Sequence, residues 1–332
     1  MTTIRTASGA VRAGVSLAVA FLAASLAPAP AAAAESWPQR NVRFIVPLGP
    51  GAGVDIGARL FADRLSTRWG KPVVVENRPG GDAIVAITAF VGAHDDHTLL
   101  FAPAATFTAH PYLHDRLPYD QADLIPVARV SNTLVAMTAP SSLNASTFKD
   151  LMDQVRGRPG RMNWATATGF SDFLFEAYLK NTGLDMSKVP YRDPVQPATD
   201  AAEGRIEFYW AAFAIVRPHF DGGKLKLLAV SNTVHIPGQT QVPTIAEAGF
   251  PALTYDGLVG VFAPREMTAD VRERIAADIT EVGADPEIRQ RLLITGQLVS
   301  PAGGAEFGAA IDAQRAVVAG IAKDMGIPAA SH

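Results

Sequence analysis

The chain has 332 residues and a formal net charge of −3, with acidic and basic side chains nearly balanced. A weakly acidic balance argues against nucleic acid or an anionic membrane surface as partner. The absence of cysteine excludes disulfides, thiolate metal sites and a lipid-modified cysteine.

Arg5 and Arg12 make a basic start, residues 13–27 a small-residue apolar stretch, and Ala32, Ala33 and Ala34 an A-x-A cleavage site before Glu35. The stretch of about 15 residues falls short of the roughly 20 that span a bilayer. It therefore reads as an export signal removed near Ala34, not as an anchor. No comparable apolar run follows, so the expected mature protein diffuses freely in the periplasm of a Gram-negative cell. Residues 35–332 suit two domains of ordinary size.

The mature chain alternates short apolar runs with helical patterns, which predicts an α/β fold with mainly parallel sheets. Strands are expected at 42–46, 73–75 and 98–101, with helices at 55–69 and 83–91. Ile56, Leu60, Phe61, Leu65 and Trp69 recur at helical spacing, and Asp55 is the expected cap. A second unit starts near Val127, with strands at 134–138, 162–165, 188–190, 206–210 and 225–230. Its helices are expected at 147–155, opened by Ser146 or Thr147, and at 171–182, 198–203 and 214–221. The series then resumes with a strand at 258–263 and helices at 269–282, 286–293 and 305–323. A Pro/Gly-rich joint at 236–251 is the candidate connection between domains. A βα series interrupted midway and resumed predicts two lobes, and a cleft between them is a natural ligand site.

Two glycine-rich punctuations carry the functional signal: Gly49 to Asp55, and Val73-Val-Val-Glu76-Asn-Arg-Pro-Gly80-Gly81. Each follows an apolar run and precedes a helical segment, so each places backbone N–H groups where a small anion can be held. Neither is a nucleotide motif: Ile56 stands at the third glycine position of G-x-G-x-x-G, and Gly-Lys-Ser/Thr is absent. The competing reading of Gly51, Ala52, Gly53 and Asp55 is a tight βα turn with no ligand.

These loops, with later segments, resemble the periplasmic solute receptors of the tripartite tricarboxylate transporter family, also called Bug proteins. The resemblance covers essentially the whole mature chain. It runs through Trp37-Pro-Gln-Arg-Asn-Val-Arg43, Gly51-Ala-Gly53-Val-Asp55, Asn77-Arg-Pro-Gly80, Leu117-Pro-Tyr119-Asp, Asn163-Trp-Ala-Thr166, Val189-Pro-Tyr191, Glu203-Gly-Arg205 and Leu227-Leu-Ala-Val230. Val242-Pro-Thr244-Ile-Ala-Glu247-Ala-Gly249-Phe-Pro is especially typical. The resemblance implies a type II periplasmic-binding-protein fold with hinge closure on a small carboxylic acid. It also implies delivery to a two-component inner-membrane permease. No cofactor, metal or enzymatic activity is implied, and a monomer is expected. On this basis one lobe comprises 35–132 plus 252–332, and the other 133–251.

The chain departs from the family at expected cleft loops. Asp82 stands among positions usually small and neutral, the loop Thr166 to Asp172 is short, and Tyr191 is followed by Arg192 and Asp193. The turn before the third strand reads His94-Asp95-Asp96-His97. If two of Asp82, Asp172 and Asp193 face the cleft, a fully ionised di- or tricarboxylate is repelled unless a cation or Arg192 offsets them. The solute then carries a hydroxyl or amine beside its carboxylate.

The ligand-contact candidates are Gly51, Ala52, Gly53, Asp55, Gly80, Gly81, Asp82, Thr106, Thr166, Thr168, Gly169, Tyr191, Arg192, Asp193 and Trp210. Each has a plainer alternative. Thr166, Thr168, Gly169 and Ser171 suit a helix cap as well as an acid. Ala104, Ala105 and Thr106 follow the third strand. Tyr191, Arg192 and Asp193 suit a surface ion pair, and Phe170, Tyr209 and Trp210 suit core packing. His94 to His97 are four adjacent residues, which do not readily converge on one ion. His110 and His114 are four apart, but Pro111 argues against a regular helix and no H-E-x-x-H is present. Two other functions remain open: a binding protein that feeds a sensor, and a periplasmic hydrolase. The hydrolase needs a Ser or Asp within hydrogen-bond reach of His110 or His114.

Overall fold

The apolar run Val42–Val46 forms strand β1, buried along nearly its whole length as a strand covered on both faces must be. The computed structural model describes residues 37–167, 169–191 and 193–330, with Met1 and Thr3; the expected signal segment and its cleavage site lie outside them. Met1–Gln39 and Arg40–His332 are separate units, and the fold belongs to the second. From β1 the chain enters helix α1 (Gly53–Trp69), which buries Val54, Ala58, Phe61, Leu65 and Trp69 and stops at Gly70 in the left-handed region. Strand β2 (Val73–Asn77), helix α2 (Ile84–Val91) and strand β3 (Thr98–Pro103) follow. Both β2 and β3 pair with β1 in parallel.

Two one-turn helices, α3 (Ala105–Thr108) and α4 (His110–Leu113), then lead to strand β4 (Ile125–Thr133). The chain crosses at Leu134 into a second sheet made of β5 (Val135–Pro140), β6 (Asn163–Thr166), β7 (Ser187–Lys188), β8 (Phe208–Ala212) and β9 (Leu225–Val230). Between them lie helices α5 (Phe148–Gly157), α6 (Gly169–Thr182), α7 (Gln196–Ala202) and α8 (Phe213–Asp221). The chain returns to the first sheet through β10 (Gly257–Ala263), α9 (Ala269–Ala284), α10 (Pro286–Ile294), β11 (Gln297–Gly303) and α11 (Gly304–Met325). The first sheet has order β11-β4-β10-β3-β1-β2 and the second β7-β6-β8-β5-β9. This is a two-lobed α/β fold.

Both sheets are mixed, where mainly parallel sheets were expected. The pairings β1–β2, β1–β3, β6–β7 and β6–β8 are parallel. β10 runs antiparallel to β3 and β4, β11 to β4, and β5 to β8 and β9. Of these strands, β4, β5, β9 and β10 border the two passages between sheets, where the chain enters without a crossover helix. β4 and β11 were not expected from the sequence. Pro126 and Pro301 interrupt their patterns, and both strands show register shifts.

The two passages are laced together. Asn232 Oδ1 accepts from the Val135 N–H at 2.8 Å, and Asn232 Nδ2 donates to the Thr133 carbonyl at 2.9 Å. The Tyr255 N–H donates to the Ser231 carbonyl at 3.0 Å. The candidate connection at 236–251 is not itself the crossing. Ile236, Val242 and Ile245 are buried against the second sheet's core, and the Ile245 N–H donates to Val230. That core holds Trp164, Phe175, Phe208 and Trp210, all but fully buried, with Phe175 and Phe208 at 4.6 Å. Ala105 and Ala109 from α3 and its flank, and Val318 from α11, join the same cluster, so α6 rests on elements of the first lobe.

Candidate functional site

The first glycine loop is shaped by Asp55. Ala52, not Asp55, is the N-cap of α1, with extended backbone and no side-chain cap. Asp55 stands in the first turn and reaches back: its buried carboxylate accepts from the Gly51 N–H at 2.8 Å and from Asn77 Nδ2 at 2.7 Å. Arg59 pairs with it at 3.0 Å. Burial pushes the Asp55 pKa up, but the bonds from Arg59, Asn77 and Gly51 outweigh it and hold the group below the ordinary carboxylate value. Two consequences follow. The Gly51 N–H is taken, so donors for an anion at this loop are those of the first helical turn. Gly53 is glycine for a packing reason as well, since a Cβ there would sit 3.0 Å from the Thr295 carbonyl and 3.1 Å from Gln297 Nε2.

The second loop is a run of left-handed residues: Gly80, Gly81, Asp82 and Ala83 have φ of 116°, 57°, 50° and 68°. Two of them carry a Cβ, at a cost of about 1 kcal/mol each or more. The run lifts the Asp82 carboxylate toward α4 and α6. Asp82 Oδ2 lies 3.4 Å from Nε2 of the fully buried His110. A Cβ on Gly169, at the start of α6, would sit 3.5 Å from Asp82 Oδ2 and 2.9 Å from Leu113 Cδ1. The second loop of one lobe thus meets the helix start of the other.

No regular helix runs through His110 and His114: α4 is a single turn with Pro111 in its first turn, where a missing N–H costs nothing, and His114 lies just past its end in extended backbone. The two imidazoles meet edge to face at 5.1 Å. His110 Nδ1 is 2.6 Å from the Tyr119 hydroxyl, and burial, then the charge of Asp82, holds that phenol well above its ordinary pKa. The Nε2 atoms of His110 and His114 are both buried without a hydrogen-bond partner among the described residues. The signal in the sequence was Pro one residue after His110, a helix start and not a helix break.

The remaining candidates divide. Thr106 is half-buried in α3. Thr166 donates its hydroxyl to Asp172 Oδ1 at 2.5 Å, and Lys188 Nζ pairs with Asp172 at 3.1 Å. Tyr191 donates to Asp200 Oδ2 at 2.6 Å, and burial together with Asp200 pushes it up to about 12. Asp193 accepts from the Val195 and Gln196 N–H groups at 2.9 and 3.0 Å and so fixes the start of α7. Trp210 is fully buried and donates its indole N–H to Ser231, which makes it a core residue. Tyr209 is buried with its hydroxyl on the Pro194 carbonyl, and Phe170 packs on Tyr255 at 4.8 Å. Thr168 and Arg192 lie outside the described residues. Of the three aspartates weighed for the cleft, Asp172 and Asp193 are thus engaged within their own lobe, and Asp82 faces imidazoles.

Elsewhere, Asp95, Asp96 and His97 do converge within 4.8 Å, which adjacent residues were not expected to do. The cluster is closed by its neighbours: Arg40 and Thr98 hold Asp95, and Asp96 holds His97 Nδ1 at 2.6 Å. A cavity of about 570 Å³ lined by Arg40, Asn41, Arg43, Val74 and Asp95 opens there, at the amino end of β1 and away from both glycine loops. The carboxylate–imidazole half of a hydrolase is present as Asp82 and His110. The hydroxyl bonded to that imidazole, however, belongs to Tyr119, a neutral phenol and a poor nucleophile.

Comparison with known proteins agrees with this architecture. The model of the tripartite tricarboxylate transporter family receptor matches residues 57–303. A UPF0065 protein of Bordetella bronchiseptica is 32% identical over 285 residues, 84% of this chain and 83% of that protein. A solved periplasmic transporter is 28% identical with a TM-score of 0.77, over 88% of this chain and 99% of that one. An R. palustris protein with adipate is 25% identical, also at 0.77, over 88% and 99%. With the family match spanning most of its length, the chain belongs to the tripartite tricarboxylate transporter family of receptors.

Proposed function

We propose that this receptor captures a small carboxylic acid between its lobes and delivers it to a two-component membrane permease of the tripartite tricarboxylate type. A solute-binding role follows from the family. The observation that supports this site is the meeting of the Gly80–Ala83 loop with the start of α6 at Gly169. The starts of two helices from different lobes come together there, and helix starts carry free backbone N–H groups suited to a carboxylate. The lobes comprise 35–132 with 252–332, and 133–251. The mature protein begins near Glu35, works in the periplasm as a monomer, and catalyses no reaction. Closure of the lobes excludes water and strengthens the hydrogen bonds to the solute. The adipate in the R. palustris relative favours the same ligand class here.

Melting temperatures measured across a carboxylic-acid library test the reading. An acid that binds only the folded state at a hundred times its Kd adds about 2.7 kcal/mol of stability. At least one acid is expected to raise Tm by several degrees. A flat response across mono-, di-, hydroxy- and amino acids at millimolar concentration would falsify carboxylate capture.

A further inference from the structure

From their geometry we infer that Asp82, His110 and His114 form a site for a divalent transition-metal ion of the zinc class. One oxygen of Asp82 and one nitrogen from each imidazole lie within 4.8 Å of one another. The His110 Nε2 to Asp82 Oδ2 separation of 3.4 Å is close to the edge of a tetrahedron of ligands about 2.0–2.1 Å from a zinc ion. His110 is fully buried, and the Nε2 atoms of both histidines are buried with no hydrogen-bond partner among the described residues. Two imidazole nitrogens enclosed beside a carboxylate, each without a hydrogen-bond partner, are costly to bury unless a cation takes them.

The surroundings fit that use. The Tyr119 hydroxyl at 2.6 Å from Nδ1 holds the His110 ring in orientation, and in the tautomer that carries its proton on Nδ1 the ring presents the Nε2 lone pair. Arg315, a cation that acts on Tyr119, is held by Asp312 at 2.9 Å. An N₂O donor set favours zinc-class ions over calcium or magnesium, which prefer oxygen. One carboxylate and two neutral imidazoles leave a net charge of +1 around a divalent ion, and three protein ligands leave a fourth position open. Gly169 lies beside these ligands, since a Cβ there would be 3.5 Å from Asp82 Oδ2. An ion there turns Asp82 from a group that repels a solute carboxylate into part of one that attracts it. This last step rests on the receptor reading above, whereas the metal site does not.

Titration of the chelator-treated full chain with Zn²⁺ alone, by calorimetry, tests the site, with the visible bands of Co²⁺ as its signature. One ion per chain is expected. Asp82→Asn and His114→Gln should each weaken binding by at least ~10-fold and abolish the Co²⁺ bands. His235→Gln, a histidine elsewhere on the surface, should leave both unchanged. Melting curves in chelator separate a lost ligand from a lost fold. Absence of a one-to-one isotherm, or wild-type affinity in either site variant, overturns the proposal. Because no acid is added, that failure would leave carboxylate capture standing.

Discussion

One buried carboxylate sets the shape of the first glycine loop. Asp55 joins the Gly51 backbone, the Asn77 amide and the Arg59 guanidinium, so three separate segments depend on it. Replacing it by alanine leaves those donors without their acceptor, and Asp55→Ala is expected to cost about 2 kcal/mol, seen as a lower Tm. The pH dependence has a definite sign. The folded pKa lies below the unfolded one, so the contribution is fully present above the ordinary carboxylate value and is lost as pH falls through the folded pKa. The Tm gap between wild type and variant should therefore be constant from pH 7 to 5 and shrink below about pH 4. An equal gap at pH 3 would show that the charge is not what Asp55 contributes. At this scale the sequence was half legible. An acid in the first turn of an expected helix was visible, but whether it capped, bound a solute or tied the loop depended on Asn77, twenty-two positions away.

Elements were more legible than residues wherever their signals were local. The start of α5 is such a case. Its sequence offered Ser146 or Thr147, and the structure selects Thr147, whose hydroxyl accepts from the Asp150 N–H at 3.0 Å while Asp150 accepts from the Thr147 N–H at 3.0 Å. A capping box of this kind satisfies two donors that a helix end leaves unpaired. Thr147→Ala is expected to lower stability by about 1 kcal/mol, and Ser146→Ala to change it by less than about 0.5 kcal/mol, both read from urea midpoints. Equal effects would place the cap elsewhere. β4 and β11 stayed hidden because their pairing is not local. Thr133 opposes Gln297, far along the chain, and the buried Ser131 and Gln297 form a polar cluster with the half-buried Thr133 within the strands. A polar cluster in a strand breaks the alternation by which strands are recognised. α4 stayed hidden because it is a single turn: its proline rules out a longer regular helix but starts a short one.

At the scale of the molecule, the two lobes and their α/β character followed from a βα series that stops and resumes. The relation between the lobes did not, because it depends on contacts that no local pattern carries. Gly169 is where that relation is most exposed. It begins α6 in one lobe, and its missing side chain makes room for Leu113 and Asp82 of the other. Alanine there is tolerable, since the nearest atom is the end of a flexible leucine. Valine adds branches that meet the Asp82 carboxylate and the Leu113 methyl together, and a separation of the lobes about the passages at Leu134 and Asn232 would relieve both contacts. Gly169→Val is therefore expected to keep a cooperative melt but to enlarge the radius of gyration in solution scattering. It should also lose most of the Tm rise that a bound acid gives the wild type. Gly169→Ala should keep that rise. The pair separates two causes: if valine left the radius unchanged yet abolished the rise, Gly169 would act by touching the solute directly. If valine changed neither, the contact between α6 and the Asp82 loop would have no part in closure.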